Sequence, residues 1–203
     1  MAGNMKLDLT DRVSLLKSLS PNAVGAEIGV FGGWFADRIM AHVKPRHLYL
    51  VDCWVVQPES AVGQRPSGVP QSIFDQEYQR TLSLFAGRSD VTIIRSFSVN
   101  AASRFVDKLD WVYIDANHLL VIEDILAWWT HVKPGGWITG HDYVNLTGEI
   151  SVKDDIDELT KVHGIELFTT TGQGENECNA PSWAFQRPEY EIWETWNDHR
   201  AVN

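Results

Sequence analysis

The feature that most constrains the fold is a regular alternation of short apolar segments with longer segments of helical periodicity. Strand-like segments rich in β-branched and aromatic residues lie at 24–28, 47–51, 91–95, 109–114, 136–140, 165–170 and 181–186. Helical patterns separate most of them, at 34–43, 74–87, 119–132 and 151–164. Apolar strands that alternate with helices are typical of a parallel sheet with both faces covered. The chain is therefore predicted to be a doubly wound α/β protein with helices on both faces of its sheet.

Two connections depart from this alternation. The last two strand-like segments are joined by the loop TGQGENECNA, which has no helical pattern. Because parallel strands need a long crossover, usually helical, one strand at an edge of the sheet is predicted to be antiparallel. Residues 55–72 are rich in Pro, Gly, Ser and Gln and too long for a simple connection. They directly follow the second strand, so they are predicted to form a lid over a ligand; a disordered segment is the alternative.

Chain length predicts the domain organisation. With 203 residues the protein is predicted to be a single domain spanning 1–203. Within it, residues 1–21 are predicted to be an N-terminal helical segment and residues 188–203 a C-terminal tail. The tail carries aromatic residues outside the expected sheet. It is expected to fold back on the domain or to cover a second subunit, and a homodimer is the second of these expectations.

Composition argues against several partners and compartments. The formal net charge is −10 and no basic stripe offsets it, so a nucleic-acid partner is not expected. The sequence shows neither a membrane span nor the apolar core of a signal peptide. Cys53 and Cys178 stand in no metal or redox spacing, which favours a reducing compartment. The chain is therefore predicted to be cytoplasmic, without a membrane or nucleic-acid partner.

The segment EIGVFGG, between the first strand and the first helix, has glycines but no known phosphate-binding pattern. A dinucleotide fingerprint begun at Gly29 needs glycines where Phe31 and Trp34 stand. Large side chains at these positions argue against NAD or FAD, and no G-K-[ST] follows to make a Walker loop. The glycines, Gly33 among them, are also compatible with nothing more than a tight strand-to-helix turn.

Two acidic residues near this segment indicate which ligand it suits. Asp52 ends the second strand about 20 residues past the glycines, the spacing at which a carboxylate accepts hydrogen bonds from a ribose diol. Glu27 adds a negative charge that repels phosphates and suits a cationic ligand. The alternatives are that Asp52 caps a loop and that Glu27 is a surface residue at a strand end.

A second group of polar residues follows the fourth and fifth strands. Asp115 comes after the fourth, and His141 with Asp142 comes after the fifth. Because the carboxyl ends of neighbouring parallel strands meet, Asp115, His141 and Asp142 are predicted to hold Mg²⁺ or Mn²⁺. His118 opens the next helix and is expected to face the same cleft, so that His118 or His141 is a candidate general base. Packing of His118 at the helix start and a loop hydrogen bond of His141 are the alternatives.

Five segments together resemble a known family. EIGVFGG, LYLVDCW, DWVYIDANH, KPGGWITGHDY and SWAFQ, in this order, are similar to class I S-adenosylmethionine-dependent methyltransferases, especially the small group that includes macrocin O-methyltransferase and sugar O-methyltransferases. The resemblance implies a seven-stranded, mostly parallel Rossmann-like sheet whose last strand is antiparallel. It implies that the residues around Gly29 face the methionine part of the cofactor, Asp52 its ribose, and Ser96 or Phe97 its adenine. The full set of predicted cofactor-binding residues is Glu27, Gly29, Phe31, Gly33, Asp52, Trp54, Ser96, Phe97 and Asp115.

The resemblance also bears on the metal and the reaction. The related sugar enzymes hold magnesium with an aspartate after the fourth strand and an acidic pair after the fifth. Here His141 stands in place of the first acid of that pair. The predicted function is O-methylation of a hydroxyl on a small polar metabolite such as a sugar, with His118, His141 and Asp142 as catalytic residues. The alternatives are a nicotinamide-dependent oxidoreductase and a non-catalytic homologue that binds the cofactor.

Overall fold

The computed structural model describes residues 9–56, 69–145, 151–171 and 180–192. Most of the predicted lid, Cys178, and the tail beyond residue 192 lie outside the described residues. Within the described ranges, no helix is both long enough and apolar enough to span a membrane.

Strands and helices alternate through most of the described chain. The strands are β1 (Val24–Ile28), β2 (His47–Asp52), β3 (Val91–Arg95), β4 (Leu109–Ile114), β5 (Val132–Gly140), β6 (Phe168–Thr169) and β7 (Trp183–Gln186). The helices are α1 (Arg12–Ser18), α2 (Trp34–His42), α3 (Gln71–Leu84), α4 (Ser98–Ala102), α5 (Val121–Trp129) and α6 (Val152–Val162). A 3₁₀ turn, His118–Leu120, leads directly into α5.

The seven strands form one sheet in the order β3-β2-β1-β4-β5-β7-β6. Strands β1 to β5 pair in parallel, and β7 is antiparallel to both β5 and β6. The predicted mostly parallel sheet with an antiparallel last strand is confirmed. The edge position was predicted wrongly, because β6 lies at the edge and β7 lies inside it. Trp183, Ala184 and Phe185 of β7 are fully buried whereas β6 is half-buried, so the more apolar strand takes the inner position.

The two faces of the sheet carry separate hydrophobic cores. Along β4, Trp111 and Tyr113 belong to one core and Val112 and Ile114 to the other, as the two-residue period of a strand requires. Residues of α1, α2 and α3 pack in the first core, and residues of α4, α5 and α6 pack in the second. Helices therefore cover both faces, as predicted.

A close contact in the first core depends on a missing side chain. Gly25 of β1 lies beneath the indole of Trp111 on the neighbouring strand β4, and Trp111 is buried. A Cβ atom built on Gly25 would lie 2.1 Å from the Trp111 ring. The indole has no free space to move into because it is part of a packed core.

We expect Gly25→Ala to lower the free energy of unfolding by about 3 kcal/mol, the upper range for overpacking a core. Gly135→Ala is the matched control, because Gly135 has φ +75° but no heavy atom within 4 Å of its built Cβ. The control should cost about 1 kcal/mol from backbone strain alone. Urea unfolding followed by tryptophan fluorescence measures both, and equal losses would show that the Trp111 contact is not limiting.

Candidate active site

The carboxyl ends of the parallel strands form a continuous row. Backbone hydrogen bonds continue one residue beyond the strands: Gly29 N donates to Val51 O (2.8 Å) and Asp115 N to Ile28 O (2.7 Å). His141 N donates to Ile114 O (3.1 Å) in the same way. The predicted cofactor and reaction residues that follow β1, β4 and β5 are thus held side by side by the backbone.

The glycine loop, residues 29–33, needs glycine at its first position. Gly29 has φ +92°, and a Cβ there would lie 2.2 Å from the carbonyl oxygen of Asp115. Any side chain would push the end of β4 away from β1. Gly33, with φ +77°, is the N-cap of α2 and ends the loop in a left-handed conformation. The loop therefore places backbone without side chains, at Gly29 and Gly33, at the carboxyl ends of the strands.

Asp52 holds the shape of this loop. Its Oδ2 accepts hydrogen bonds from Val30 N (2.8 Å) and Phe31 N (2.9 Å), and its Oδ1 accepts one from Trp54 N (2.7 Å). The loop-capping role that the sequence left as an alternative is thus present. A carboxylate has about four acceptor positions, so this role leaves capacity for a ribose hydroxyl.

Trp54 lies beneath the loop. Its indole is fully buried in the first core and its Nε1 donates to Phe31 O (2.7 Å). Thr81 of α3 donates to the same carbonyl (3.1 Å). The structure shows Trp54 supporting the glycine loop from the core side, where its large indole is buried and its N–H has a partner. The predicted contact of Trp54 with the cofactor stays a prediction.

Other predicted cofactor residues are accessible. Phe31 is 39% exposed and Phe97, the N-cap of α4, is 47% exposed. Large apolar rings on a surface are available to pack against a flat ligand such as adenine. Ser96 N donates to Asp52 O (2.8 Å), which ties the loop after β3 to the end of β2.

Glu27 is buried and incompletely bonded. It lies on β1, is 1% exposed, and its Oε2 accepts no hydrogen bond from the described residues. Burial raises the pKa of Glu27 well above its ordinary value; Asp115 and Asp52 raise it further, while Arg12 opposes them. A buried acceptor without a donor costs free energy, so the site holds a polar group that a ligand could satisfy.

His118, Asp142 and His141 form a chain of contacts between the ends of β4 and β5. His118 Nε2 lies 2.7 Å from Asp142 Oδ2, and His141 Nδ1 lies 3.0 Å from Asp142 Oδ1. The His118 side chain is 31% exposed and that of His141 only 5% exposed. The His118 ring is therefore partly accessible to solvent, whereas the His141 ring is buried against Asp142.

The loop after β5 fixes Asp142 in an unusual backbone conformation. Asp142 has φ +52°, which aspartate tolerates better than most residues. The neighbouring backbone is held by β7 and the loop before it: Trp183 Nε1 donates to His141 O (3.0 Å), and Tyr143 N donates to Pro181 O (2.9 Å). The antiparallel strand β7 thus positions the Asp142 carboxylate.

These contacts shift the pKa values in opposite directions. The hydrogen bond from His118 to Asp142 raises the pKa of His118, although partial burial opposes it. For Asp142 burial acts to raise the pKa, but the hydrogen bonds from His118 and His141 outweigh it and hold the pKa well below its usual range. Asp142 is therefore ionised and orients the His118 ring.

Arg12 is a residue of this site that was not predicted from the sequence. Arg12 is the first residue of α1 and is 7% exposed. Its Nη2 lies 2.7 Å from Asp115 Oδ2, and its Nε donates to the hydroxyl of Tyr113 (3.0 Å). No spacing rule links residues 103 positions apart, so only the packing of α1 against the sheet reveals the pair.

Three of these side chains approach the spacing of ligands to a divalent cation. Ligand atoms of Asp115, His118 and Asp142 lie within 4.8 Å of one another. The predicted metal group was Asp115, His141 and Asp142, so His118 stands here in place of His141. Arg12 contacts one oxygen of Asp115, and the two imidazoles contact both oxygens of Asp142. Mg²⁺ prefers oxygen ligands in octahedral geometry. As placed, these residues do not fit such an ion, because three of four carboxylate oxygens already have nitrogen partners.

Solved structures of related shape were compared with the chain. An rRNA methylase from Streptococcus thermophilus has 12% identity and a TM-score of 0.57, covering 87% of this chain and 94% of its own. Aeropyrum pernix fibrillarin with natively bound S-adenosyl-L-methionine has 16% identity and a TM-score of 0.57, covering 85% and 72%. A candidate caffeoyl-CoA O-methyltransferase from Staphylococcus aureus has 14% identity and a TM-score of 0.59, covering 92% and 85%. At these identities the likeness shows the fold alone.

Sequence comparison identifies the family. No curated protein sequence matches the chain. A family model described as a methyltransferase domain matches residues 26–143, more than half of the chain, from the end of β1 to the Asp142 loop. This match does not support the nicotinamide-dependent alternative. The chain therefore belongs to the methyltransferase domain family, and the predicted class I S-adenosylmethionine-dependent methyltransferase is confirmed.

Proposed function

We propose that the protein transfers the methyl group of S-adenosylmethionine to a hydroxyl of a small polar metabolite, with a sugar or another polyol as the preferred class. The observation that carries the proposal is the His118–Asp142–His141 chain beside the glycine loop. It is the arrangement that removes a proton from a hydroxyl during transfer. The narrower likeness to macrocin and sugar O-methyltransferases stays a prediction.

The cofactor is proposed to lie across the strand ends. The ammonium of its methionine part would meet Glu27 and Asp115, and its ribose would meet Asp52. Phe31 and Phe97 would pack against its adenine, because both rings are exposed. The unpartnered Oε2 of Glu27 supports this placement, since a bound ammonium supplies the missing donor.

His118 is proposed as the general base. Its Nε2 is engaged by Asp142, so in the neutral ring Nδ1 is the nitrogen free to accept a proton. Asp142 orients the ring and stabilises its charged form, and His141 orients Asp142. The sulfonium methyl group needs an in-line hydroxyl, so positioning supplies most of the acceleration.

No divalent cation is assigned to this reaction. Mg²⁺ or Mn²⁺ at Asp115, His141 and Asp142 was the prediction from the sequence. We propose instead that the buried Arg12 cation balances the charge of Asp115 and that hydrogen bonds from the two imidazoles occupy both oxygens of Asp142. A metal would have to displace His118 from Asp142, and the base would lose its orientation.

The acceptor is tested by a methyl-transfer assay with radiolabelled S-adenosylmethionine. Sugars, polyols, catechols and RNA form separate arms of the assay. The RNA arm is included because an rRNA methylase shares the fold. Transfer to sugars or polyols supports the proposal. Transfer to RNA alone, or cofactor binding without transfer to any arm, would replace it with the nucleic-acid or the non-catalytic alternative. A homodimer and a cytoplasmic location remain part of the proposal.

We expect His118→Gln and Asp142→Asn to lower kcat by about 10²-fold or more, the usual contribution of a general base. Affinity for S-adenosylmethionine should change less than about twofold, because neither side chain is assigned to the cofactor. The matched control is His42→Gln, at the exposed last turn of α2. Steady-state rates and calorimetric titration measure the two quantities, and a fully active Asp142→Asn enzyme would refute this mechanism.

Activity is expected to survive chelation of metal ions. Dialysis against EDTA should leave kcat within about twofold, and added Mg²⁺ or Mn²⁺ should not raise it, because three of the four carboxylate oxygens have nitrogen partners. Loss of activity with EDTA and recovery with Mn²⁺ would instead establish Asp115, His118 and Asp142 as metal ligands.

Glu27→Gln should weaken S-adenosylmethionine binding about tenfold, because the neutral amide cannot pair with the ammonium charge. Calorimetric titration of the wild type and the variant measures this difference.

The same change, Glu27→Gln, should make the ligand-free protein more stable than the wild type as pH rises. The raised pKa of Glu27 means that the folded wild type binds this proton more tightly than the unfolded chain, so its stability falls above the ordinary glutamate pKa. Glutamine removes that loss. Urea unfolding at pH 4.5 and pH 8 should show a stability gap between the variant and the wild type that is larger at pH 8, and a constant gap would contradict the reasoning.

A further inference from the structure

Arg12 is a buried cation to which the proposed reaction assigns only charge balance. Its guanidinium lies 4.1 Å from the centre of the Phe35 ring, contacts Asp115 and donates to Tyr113. The stacking on Phe35 fixes the plane of the group, and Tyr113 fixes its rotation. Elements α1, α2 and β4 thus orient one planar cation at the edge of the sheet where the cofactor is proposed to lie.

The cation retains capacity for another partner. A guanidinium has five N–H groups, and two of them serve Tyr113 and Asp115. The Arg12 side chain is 8% exposed, so the protein does not enclose it completely. Planar carboxylates are the partners that such a fork binds best.

A second anion-binding feature lies beside it. Phe35 is the second residue of the nine-residue helix α2, which follows the glycine loop directly. The first N–H groups of a helix have no partner within the helix and favour an anion. Arg12 therefore stands over the start of a helix that already attracts a negative group.

A cation-binding feature lies close to the same point. Glu27 of β1 lies directly opposite Tyr113 of β4, and the Tyr113 hydroxyl accepts the hydrogen bond from Arg12 Nε (3.0 Å). The unpartnered Oε2 of Glu27 offers an acceptor for an ammonium group. The site thus presents a donor fork and an acceptor together, which matches the two charges of an α-amino acid.

We propose that Arg12 binds the α-carboxylate of the methionine part of S-adenosylmethionine. The inference rests on the proposed placement of the cofactor over Gly29 and Glu27, and it extends that placement to a residue outside the family match at 26–143. The N-terminal helix α1 is then part of the cofactor site. Arg12 links the cofactor to Asp115, which it contacts at 2.7 Å.

Two ligands that differ only in the carboxylate test this inference. S-adenosylmethionine and decarboxylated S-adenosylmethionine are titrated calorimetrically into the wild type, Arg12→Met and Arg12→Lys. The wild type should prefer the carboxylated ligand by about tenfold or more, the value of a charge-assisted hydrogen bond. In Arg12→Met the preference should fall to about twofold or less, with Arg12→Lys in between. Arg80→Met is the matched control, because Arg80 stacks on Trp34 of α2 but contacts neither Asp115 nor Phe35.

Each outcome decides the question. A wild type without preference, or an Arg12→Met variant that weakens both ligands equally, would overturn the inference and leave Arg12 as a structural partner of Asp115. If Arg12→Met does not fold, Tyr113→Phe removes the acceptor that orients Arg12 and should lower the preference several-fold. An unchanged preference in Tyr113→Phe would then overturn it. The acceptor assay is independent, so failure of O-methylation would not be mistaken for failure at Arg12.

Discussion

The parallel register of β1, β2, β4 and β5 is the constraint on which the rest of the site depends. Hydrogen bonds that continue past the strands place Gly29, Asp115 and His141 in one row. Because the carboxyl ends of parallel strands lie side by side, residues far apart in sequence meet there without any long loop. A shift of one residue in any strand would turn these side chains to the other face of the sheet or out of reach.

Most of the ionisable side chains at the carboxyl ends of these strands have a hydrogen-bond or ion-pair partner. Asp115 has Arg12, and Asp142 has His118 and His141. Glu27 is a buried carboxyl with an unpartnered oxygen, and among the described residues the buried Nε2 of His141 also has no partner. Buried polar groups without partners lower stability and are retained where a ligand needs them. The contrast between the satisfied pairs and Glu27 is therefore a physical reason to regard Glu27 as part of the ligand site.

The fold and the chemistry are separate findings. The same sheet occurs in an rRNA methylase and in a candidate caffeoyl-CoA O-methyltransferase, at identities of 12% and 14%. A fold shared so widely does not specify the acceptor. The proposed hydroxyl acceptor rests instead on the His118–Asp142–His141 contacts. Within them His118 is the more exposed imidazole and His141 is buried. That distinction depends on which strand end each histidine follows.

The sequence by itself determined the sheet, the glycine loop and the candidate acidic groups, because periodicity and strand-end positions are local properties. It left His118 and His141 equivalent as candidate bases, and it did not show which core the Trp54 indole joins. Only the tertiary structure decided that Trp54 is buried beneath the glycine loop, that His118 is the more exposed histidine, and that Arg12 reaches Asp115. Each of these outcomes depends on contacts between segments that are distant in the sequence. Hydrophobic periodicity predicts which face of an element a residue occupies, but it does not predict which side chain the residue contacts there.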